Sequence, residues 1–572
     1  MFYLLLYALL IFLTTLEAVA ADVQVLTQRG NNQRTGVNTQ ESTLNQANVR
    51  AHFGKLWTLF ADAKVMAQPL YVSKLVVPAA NAFSPAAKAQ CPSGCNAVIF
   101  GTMKGTVYAY LADQKATTQN DTLIWARFLE GDPRTGGNDI DMWGADDPFW
   151  GILGTPVIDL ASQLIYVVTW NKDNAHRLYA LDLASGKTKK GPVVINGTVN
   201  GTQFFVNGQQ HRKQRSALLL DHGLLYVPFG GDNPGMAGWL FVYDAATLGF
   251  RTVWSPIPGG PNGGIWMSGG GLIADTDGSL YLQTANGDFN SNAAKWGNAL
   301  LRLKMNGNQI QVTDFFAPCN TAMMNGMDMD LGSAGPLLLP GNLVSAGGKP
   351  GTVYLMERNH LGHFQAGGAG CNDSNLVLQR VNATPGHIHG TPVLWQGPGS
   401  QSWVYVMGEG DRLKAFPFEN GRLKTGAGDI KVSGWKPPRP TLKNGHNQVP
   451  DNWMPGGTIT VSSKAQEAGT GIVWVVSPAN GDANSFRGVK GMLMAFNADN
   501  VADELWRSQG ADSNADTANS MGLLARFAPV TVANGKAFVG NAGDHEPLFG
   551  YNETNRPHNF PANFAVVVYG LK

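Results

Sequence analysis

The sequence has little charge and almost no excess of either sign. Of its 572 residues, 15% are charged, and 42 basic residues against 41 acidic ones leave a formal net charge of +1. Proteins that bind nucleic acids or anionic membranes through their surface use a basic excess, because basic side chains neutralise phosphate groups. We therefore expect no nucleic-acid partner.

Long hydrophobic runs are also scarce. One apolar run, residues 2–13, is followed by the small residues AVA at 18–20, which resemble the cleavage site of a secretory signal. The run is shorter than the roughly 20 residues that a membrane-spanning helix needs. We interpret residues 1–20 as a signal peptide and expect a secreted or periplasmic protein with no stable membrane span after cleavage. Because no Lys or Arg precedes the run, an uncleaved anchor is the alternative.

Two kinds of covalent modification are predicted for an exported chain. Cysteine is rare, and we expect the four cysteines to form the disulfides Cys91–Cys95, within CPSGC, and Cys319–Cys371. A zinc site is the weaker alternative, since neither pair has CxxC spacing and no histidine lies at ligand spacing. In a eukaryotic source, N-glycosylation is predicted at six sequons, Asn120, Asn196, Asn200, Asn372, Asn382 and Asn552.

Several catalytic motifs are missing. The sequence contains no GxSxG, HExxH, P-loop or strand-to-helix GxGxxG motif, which excludes the common serine hydrolases, zinc proteases, NTPases and Rossmann enzymes. It has no CxxCH motif for a covalently attached haem. Glycine, in contrast, is abundant with 70 residues, and together with 31 prolines it indicates many tight turns between short strands.

An internal repeat predicts the architecture. Each unit has a strand after a small-residue or proline turn, a strand ending in aromatics, a Gly/Asp/Asn loop, an apolar strand and, in several units, a final segment with Trp. Examples are GTPVIDLASQLIYVVTW with HRLYALDLASGK, and SALLLDHGLLYVPFGGD with WLFVYDAATLGFRTVW. Eight such units of roughly 55 to 65 residues follow one another. We predict an all-β fold, an eight-bladed β-propeller of four-stranded blades.

The two ends of the chain are expected to close this ring. The eighth unit lacks a fourth strand, because the chain ends at Lys572. The segment GKLWTLF at 54–60 resembles the fourth-strand segments LIWARF and ELWRSQ of other units, so we predict that it completes the last blade and removes the exposed edges. We therefore divide the mature chain into an N-terminal extension, residues 21–53, and a single propeller, residues 54–572.

The units resemble the eight-bladed propellers of the quinoprotein alcohol dehydrogenase-like superfamily, whose repeats follow a pattern like LYALDLASGK and VYDAATLG. Segments such as GGIWMSGGG, DMDLGSAGPLLLP, GHIHGTPV and NWMPGG are similar to a group of secreted proteins described as pyrroloquinoline-quinone-like. The superfamily includes dehydrogenases and non-catalytic scaffolds, so the resemblance implies the fold more specifically than the function. The sequence departs from quinone-dependent alcohol dehydrogenases of this fold by lacking their two adjacent cysteines.

A candidate metal site lies in GHIHGTPV. The loops before first strands and those between second and third strands are expected to emerge on one face of the ring. His387 and His389 point to the same side of an extended segment, and another blade would supply a further ligand, with Asp328 as first candidate and Asp330, Asp482 and His545 as others. The alternative is that both histidines bond to loop backbone. Calcium on the loop carboxylates and copper, also through the thioethers of MMNGMDMD at 323–330, are the candidate metals.

Catalytic and cofactor-binding candidates share this face. Asp330 or Asp482 would act as general base, and Arg215 or Arg526 would polarise a substrate oxygen. Three tryptophans before inner strands, Trp150, Trp266 and Trp453, are candidates to stack on a quinone, and packing between blades is their alternative role. The acidic segment 139–151 would cover the channel mouth as a lid, bind a cation or remain a solvated loop.

Two functions follow from these residues. The first is a secreted oxidoreductase that uses pyrroloquinoline quinone (PQQ) or a divalent metal on an alcohol or sugar-like substrate. The second is a non-catalytic propeller that binds a protein or glycan partner through its long loops. In both cases we expect a monomer with a small-molecule or glycan ligand.

Overall fold

Eight antiparallel sheets surround one axis and form an eight-bladed β-propeller, which confirms the predicted fold. The computed structural model describes residues 22–118, 120–129, 149–204, 213–230, 237–367, 370–436, 453–479, 481–483, 489–509, 517–544 and 563–572. The predicted signal peptide, His545, Asn552 and residues 139–148 of the acidic segment lie outside these ranges. First strands of neighbouring blades contact one another, so they line the central channel.

The blades are numbered in chain order, and their strands are given from the channel outward. Blades 1 to 4 consist of Leu70–Leu75, Cys95–Gly101, Thr106–Leu111 and Leu123–Phe128; Val157–Asp159, Leu164–Trp170, His176–Asp182 and Thr188–Val194; Leu219–Asp221, Leu224–Phe229, Trp239–Asp244 and Phe250–Trp254; and Ile273–Ala274, Leu280–Gln283, Leu300–Asn306 and Gln309–Phe316. Short hairpins, Thr198–Val199 with Thr202–Gln203 and Phe289–Asn290 with Lys295–Trp296, extend the loops.

Blades 5 to 8 follow the same plan. They consist of Leu337–Leu339, Leu343–Gly347, Thr352–Glu357 and Gln379–Asn382; Val393–Gln396, Ser402–Val406 and Lys414–Glu419 with the short strands Arg422–Leu423 and Lys431–Val432; Thr458–Ser462, Ile472–Pro478, Gly491–Asn497 and Glu504–Arg507; and Thr531–Ala533, Lys536–Gly540, Ala565–Leu571 and Phe53–Phe60. Three short helices, Gln46–His52, Pro85–Gln90 and Thr321–Gly326, lie in connections.

The hydrophobic core lies between neighbouring blades. Every residue of the second strands Leu164–Trp170 and Ile472–Pro478 is buried, since both faces of a blade are covered, whereas the outer strand Thr188–Val194 is partly exposed along its length. Tryptophans connect adjacent blades. For example, the indole N–H of Trp125 in blade 1 donates to the Leu183 carbonyl in blade 2 at 3.1 Å. Contacts of this kind, together with the apolar strands, bury both faces of each sheet.

The N-terminal strand closes the ring, as predicted. Phe53–Phe60 pairs antiparallel with Ala565–Leu571 and becomes the fourth strand of blade 8. The preceding helix, Gln46–His52, begins at Asn45, whose side chain accepts from the Asn48 backbone N–H while the Asn48 side chain accepts from the Asn45 backbone N–H. This capping box fixes the direction in which the chain enters the closing strand.

The segment before that helix crosses the central channel. Its strand Gln24–Val25 pairs antiparallel with the inner strand of blade 1, and Val37–Asn38 pairs in parallel with the inner strand of blade 7. We call residues 24–38 the channel segment. The sequence set these residues apart as an extension without assigning them a position, and the structure places them inside the ring.

Two buried arginines anchor the channel segment. The Arg29 guanidinium donates to the Thr391 and Pro392 carbonyls at 3.1 and 2.9 Å, and the Arg34 guanidinium donates to the Leu218 and Leu272 carbonyls at 2.8 and 3.2 Å. These carbonyls lie at the starts of the inner strands of blades 6, 3 and 4. The arginines thus satisfy acceptors on strand edges that have no neighbouring strand.

Both predicted disulfides are present. Cys91 bonds to Cys95, and Cys319 bonds to Cys371 across 52 positions of the chain. Disulfides of this kind are typical of oxidising compartments. In the part of the chain that the structure describes, no helix has the length and hydropathy to cross a membrane.

Candidate functional site

The two predicted loop sets do meet at one end of the ring. His389, before the inner strand of blade 6, lies 2.9 Å from Glu409, in the loop after the second strand of the same blade. Asp330, before the inner strand of blade 5, lies 2.8 Å from Lys349, which follows the second strand of that blade. We call this end of the channel, where blades 4 to 7 bring their polar loops together, the channel mouth.

Both histidines reach one carboxylate. His389 Nε2 lies 2.9 Å from Glu409 Oε1, and His387 Nδ1 lies 3.3 Å from Glu409 Oε2. Side chains two residues apart point to the same side of an extended chain, so the His-Ile-His spacing explains the convergence. One ligand atom from each of the three residues lies within 4.8 Å of the other two.

A serine holds the other face of His389. Ser268 Oγ donates to the Ser333 carbonyl at 2.6 Å and lies 3.2 Å from His389 Nδ1. Because the Ser268 proton is used on the carbonyl, the serine oxygen accepts from Nδ1–H, and we assign this tautomer to His389. His389 Nε2 then presents a lone pair to Glu409.

Burial controls the charges of this pair. Burial raises the pKa of Glu409 to about 8, with the His387 charge opposing the shift and the Asp482 charge adding to it. Burial also lowers the pKa of His389 to about 3. At neutral pH the Glu409 carboxyl therefore retains a proton, which it donates to the His389 lone pair.

A second cluster surrounds Lys349. Its ammonium lies 2.8 Å from both Asp328 and Asp330, while Asn286 donates its backbone N–H to Asp330 and its side-chain amide to Asp328. Asp330 is 4% exposed and Asp328 is 72% exposed, so the cluster extends from the protein interior to solvent. Asp328 is thus bonded to Lys349 and Asn286, and the carboxylate that lies beside the two histidines is that of Glu409.

The charges of this cluster oppose one another. Burial raises the pKa of Asp330, and the Lys349 ammonium acts against that shift. Burial lowers the pKa of Lys349, but the two aspartates outweigh this effect and the net shift is upward. Lys349 remains protonated, whereas Asp330 is a stronger base than an exposed aspartate.

Trp266 lies beneath the two clusters. Its ring centroid is 5.8 Å from that of His389 and 5.9 Å from that of Phe527, and the ring is buried. Arg215 stacks over Phe527 at 5.6 Å and donates to the Leu153 and Arg526 carbonyls. The predicted residues Trp266 and Arg215 therefore adjoin the histidine cluster, and Arg526 enters this network through its backbone carbonyl.

The other predicted residues have different surroundings. Trp150 packs against Trp170 at 6.3 Å, with Lys213 over its ring at 5.0 Å, between blades 1 and 2. Trp453 is buried before the inner strand of blade 7. Asp482 accepts from the Met454 backbone N–H at 3.4 Å, and its charge acts on Glu409. Of these residues, Asp482 is electrostatically coupled to the histidine cluster.

The channel segment forms the floor of the mouth. A cavity of about 20 Å³ separates Gln28 and Arg29 from Ser268, His389 and Phe527. This volume holds a single water molecule. The methionine-rich stretch lines a separate cavity of about 430 Å³ beside Arg380. Copper binding through its thioethers stays a prediction.

Sequence reasoning missed three residues of the site: Glu409, Lys349 and Ser268. Glu409 directly precedes one of the repeated Gly-Asp turns, Gly410–Asp411, and the turn pattern drew attention to the aspartate instead. Lys349 lies in GGKPG, which is typical of a turn. The signal that could have found both was their common position between a second and a third strand.

The comparisons with known proteins agree with this geometry at the level of the fold. No protein-family model matches the chain, and a search of the curated proteins gave no match. A quinohemoprotein alcohol dehydrogenase from Pseudomonas putida superposes with a TM-score of 0.56 at 13% identity, covering 96% of this chain and 80% of that one. The chain has the fold of the quinoprotein alcohol dehydrogenases.

Two further structures share this quinoprotein fold. A quinohemoprotein alcohol dehydrogenase from Comamonas testosteroni has a TM-score of 0.55 at 14% identity, with 97% of this chain and 81% of that chain covered. A europium-containing methanol dehydrogenase has a TM-score of 0.51 at 12% identity and covers 96% of this chain and 98% of its own. At these identities the likeness concerns the fold.

The residues of the mouth do not fit a quinone stacked on tryptophan. Trp266 is 3% exposed, with His389 and Phe527 against its ring, so a planar cofactor would have to displace one of them. Pyrroloquinoline quinone carries carboxylates, and it would meet the carboxylates Asp328, Asp330 and Asp482, whose charges exceed those of the neighbouring cations Lys349 and Arg215 among the described residues. The same surroundings favour a cation.

Proposed function

We propose that the protein is an exported oxidoreductase that acts on an alcohol or sugar-like substrate at the channel mouth. The observation that carries the proposal is the cluster of Asp330, Lys349 and Asp328, in which a buried carboxylate with a raised pKa is connected to solvent. Perturbed titratable groups of this kind concentrate at functional sites. The propeller fold shared with alcohol dehydrogenases supports the reaction class.

Asp330 is the general base of this proposal. Oxidation of an alcohol removes the hydroxyl proton and a hydride from carbon, and a carboxylate of raised pKa accepts the proton more readily than an ordinary one. Lys349, 2.8 Å from Asp330, stabilises negative charge that develops on the substrate oxygen. The hydride, with its two electrons, passes to a diffusible quinone, which becomes the quinol as the alcohol becomes the carbonyl compound, and an artificial dye replaces the quinone in an assay.

Two other predicted residues have supporting roles in the proposal. Asp482 is the alternative base, since its charge already acts on Glu409. Arg215 is held by the Leu153 and Arg526 carbonyls and stacks on Phe527, which places its positive charge beside the histidine cluster. Arg215 therefore helps to hold the Phe527 ring, and it is the alternative to Lys349 for polarising a substrate oxygen.

Dye reduction by the purified exported protein tests the proposal. With a panel of alcohols and sugars, in the presence of PQQ with Ca²⁺ or of Zn²⁺ or Cu²⁺, we expect turnover of at least one substrate. Asp330→Asn should lower kcat about 100-fold or more while the protein stays folded. The control Asp288→Asn changes an exposed carboxylate paired with Lys295 and should leave kcat unchanged.

The same experiment distinguishes the alternative function. If no substrate reduces the dye under any of these conditions, the oxidoreductase proposal is wrong. Glycan binding without turnover would then favour the non-catalytic propeller.

Export is the second part of the proposal. It is supported by the two disulfides and by the exposure of five described sequons, Asn120, Asn196, Asn200, Asn372 and Asn382. The chain is ordered close to the predicted cleavage site, because Asp22 pairs with Lys74 at 3.0 Å and the channel segment begins two residues later. Mass spectrometry of the exported protein should find an N-terminus at Ala21, whereas a retained first segment would favour the anchor.

A further inference from the structure

Three side chains at the channel mouth surround one point with two imidazole nitrogens and a carboxylate. His387 Nδ1 and His389 Nε2 lie 3.3 and 2.9 Å from the two oxygens of Glu409. In a tetrahedral site with bonds of about 2.0–2.2 Å, neighbouring ligand atoms are about 3.4 Å apart. We propose that His387, His389 and Glu409 bind one divalent transition-metal ion of the zinc–copper class.

The hydrogen bonds around His389 orient its lone pair for this role. Ser268 accepts from Nδ1–H, so Nε2 faces Glu409 without a proton of its own. A lone pair and a carboxylate at 2.9 Å repel each other unless a proton or a cation lies between them. The metal lies between Nε2 and the carboxylate, and the ligands separate by a few tenths of an ångström. Ser268 acts as the outer partner that fixes the ring of a metal-binding histidine.

The donor set selects the kind of metal. Calcium prefers six to eight oxygen ligands, whereas imidazole nitrogens favour zinc, copper and related ions. The sequence analysis gave calcium and copper as candidate metals. Two histidines beside one carboxylate favour copper, zinc and related ions over calcium. His387 is 29% exposed, whereas His389 and Glu409 are buried, so a further ligand position faces the mouth on the side of His387.

The neighbouring charges support a cation at this place. Asp328 and Asp330 flank Lys349, and the charge of Asp482 acts on Glu409, so among the described residues three carboxylates lie near the site against the two cations Lys349 and Arg215. A bound divalent ion offsets this negative excess. The metal site does not depend on the oxidoreductase activity, because its three ligands belong to blade 6 and none of them has a role in the proposed reaction.

Metal titration of the metal-free, full-length exported protein tests the inference. Calorimetry with Zn²⁺ should give one ion per chain, Co²⁺ should give the visible absorption of a tetrahedral nitrogen–oxygen site, and Ca²⁺ should not compete for this site. His389→Ala and Glu409→Gln should each weaken Zn²⁺ binding by about 100-fold or more. Glu409→Gln keeps the size of the side chain and a donor toward Nε2, so it separates metal binding from packing.

A matched control lies between blades 4 and 5. His363 Nε2 is 3.1 Å from Asp314, which makes a histidine–carboxylate pair like that of the mouth. His363→Ala should leave Zn²⁺ affinity unchanged. If His389→Ala unfolds, His387→Ala tests the site instead, because the His387 side chain is partly exposed and its removal should leave the protein folded.

Clear results would overturn the inference. They are the absence of stoichiometric Zn²⁺ or Cu²⁺ binding to the wild type, equal affinity in Glu409→Gln, or Ca²⁺ binding that His387→Ala abolishes. Stoichiometric Zn²⁺ binding without dye reduction would refute the proposed activity and leave the metal site standing.

Discussion

Among single residues, Lys349 has a charge on which the stability of the channel mouth depends. It is 9% exposed and neutralises the buried Asp330 as well as the exposed Asp328. A buried ion pair is costly to form, but removing one partner costs more because the other charge is left without compensation. The stability of the channel mouth therefore depends on the pair remaining complete.

Replacing Lys349 tests this dependence. Lys349→Met keeps much of the apolar stem but leaves Asp330 buried without its cation, so we expect the free energy of unfolding to fall by about 3 kcal/mol. Urea denaturation followed by tryptophan fluorescence measures the loss. The control Lys295→Met breaks the exposed pair with Asp288 and should cost less than about 1 kcal/mol. Equal effects of the two substitutions would contradict the account.

The pKa of Asp330 has a consequence for the dependence of activity on pH. The carboxylate accepts a proton only in its ionised form, and burial raises its pKa, so kcat/KM should rise with pH in a step above the ordinary carboxyl range of about 4. A pH profile of dye reduction locates the step. In Asp330→Asn the residual activity should lose it, and a wild-type profile that is flat above pH 4 would exclude Asp330 as the base.

Among the elements, the channel segment has the most unusual position, because it provides neighbours for inner strands that otherwise have free edges. Arg34 connects this segment to blades 3 and 4. The guanidinium donates to the Leu218, Leu272 and Gln28 carbonyls and to the Thr27 hydroxyl, and it is fully buried. The segment thereby connects blades that are distant in sequence, and it also closes the floor of the mouth.

Loss of Arg34 should destabilise the propeller. Arg34→Met leaves buried carbonyls without donors, and we expect a loss of about 2–4 kcal/mol in the free energy of unfolding. Arg50, whose exposed guanidinium pairs with Asp503, provides the control, since Arg50→Met should cost less than about 1 kcal/mol. Chemical denaturation measures both. If Arg34→Met were as stable as the wild type, the segment would not anchor the inner strands.

An element could be predicted from the sequence where side-chain patterns form it, and not where hydrogen bonds to backbone groups form it. The blades and the closing strand were predictable, because apolar alternation and a missing fourth strand are visible in the residues themselves. The channel segment was not, since Arg29 and Arg34 bond to backbone carbonyls, which any residue provides. Glu409 was missed for a different reason. Its loop was expected to meet that of His389, 20 positions away, but the adjacent Gly410–Asp411 turn drew attention to the aspartate.

At the scale of the whole molecule, the ring is closed by one strand and the loops are constrained by two disulfides. The strand Phe53–Phe60 joins the two ends of the chain, and no covalent bond secures that junction among the described residues. Cys319–Cys371 instead joins the connection after the fourth strand of blade 4 to the loop between the third and fourth strands of blade 5. The disulfides therefore act on local loops and not on ring closure.

The two disulfides should differ in their contribution to stability. By loop-closure entropy, a bond across 52 positions stabilises by about 4 kcal/mol and one across 4 positions by about 2 kcal/mol. Thermal unfolding of Cys319→Ser with Cys371→Ser, compared with Cys91→Ser with Cys95→Ser, tests this order. A larger loss from the short loop would show that native packing and not loop length decides the effect.

The central claim is that the channel mouth is a metal-binding functional site built on a propeller of the quinoprotein fold. Anomalous diffraction, recorded on either side of the zinc absorption edge from crystals of the exported protein grown with Zn²⁺, tests it most directly. The account predicts one strong peak about 2.0–2.2 Å from His387 Nδ1, His389 Nε2 and a Glu409 oxygen. A mouth without such a peak at saturating Zn²⁺, or a peak at another place alone, would contradict it.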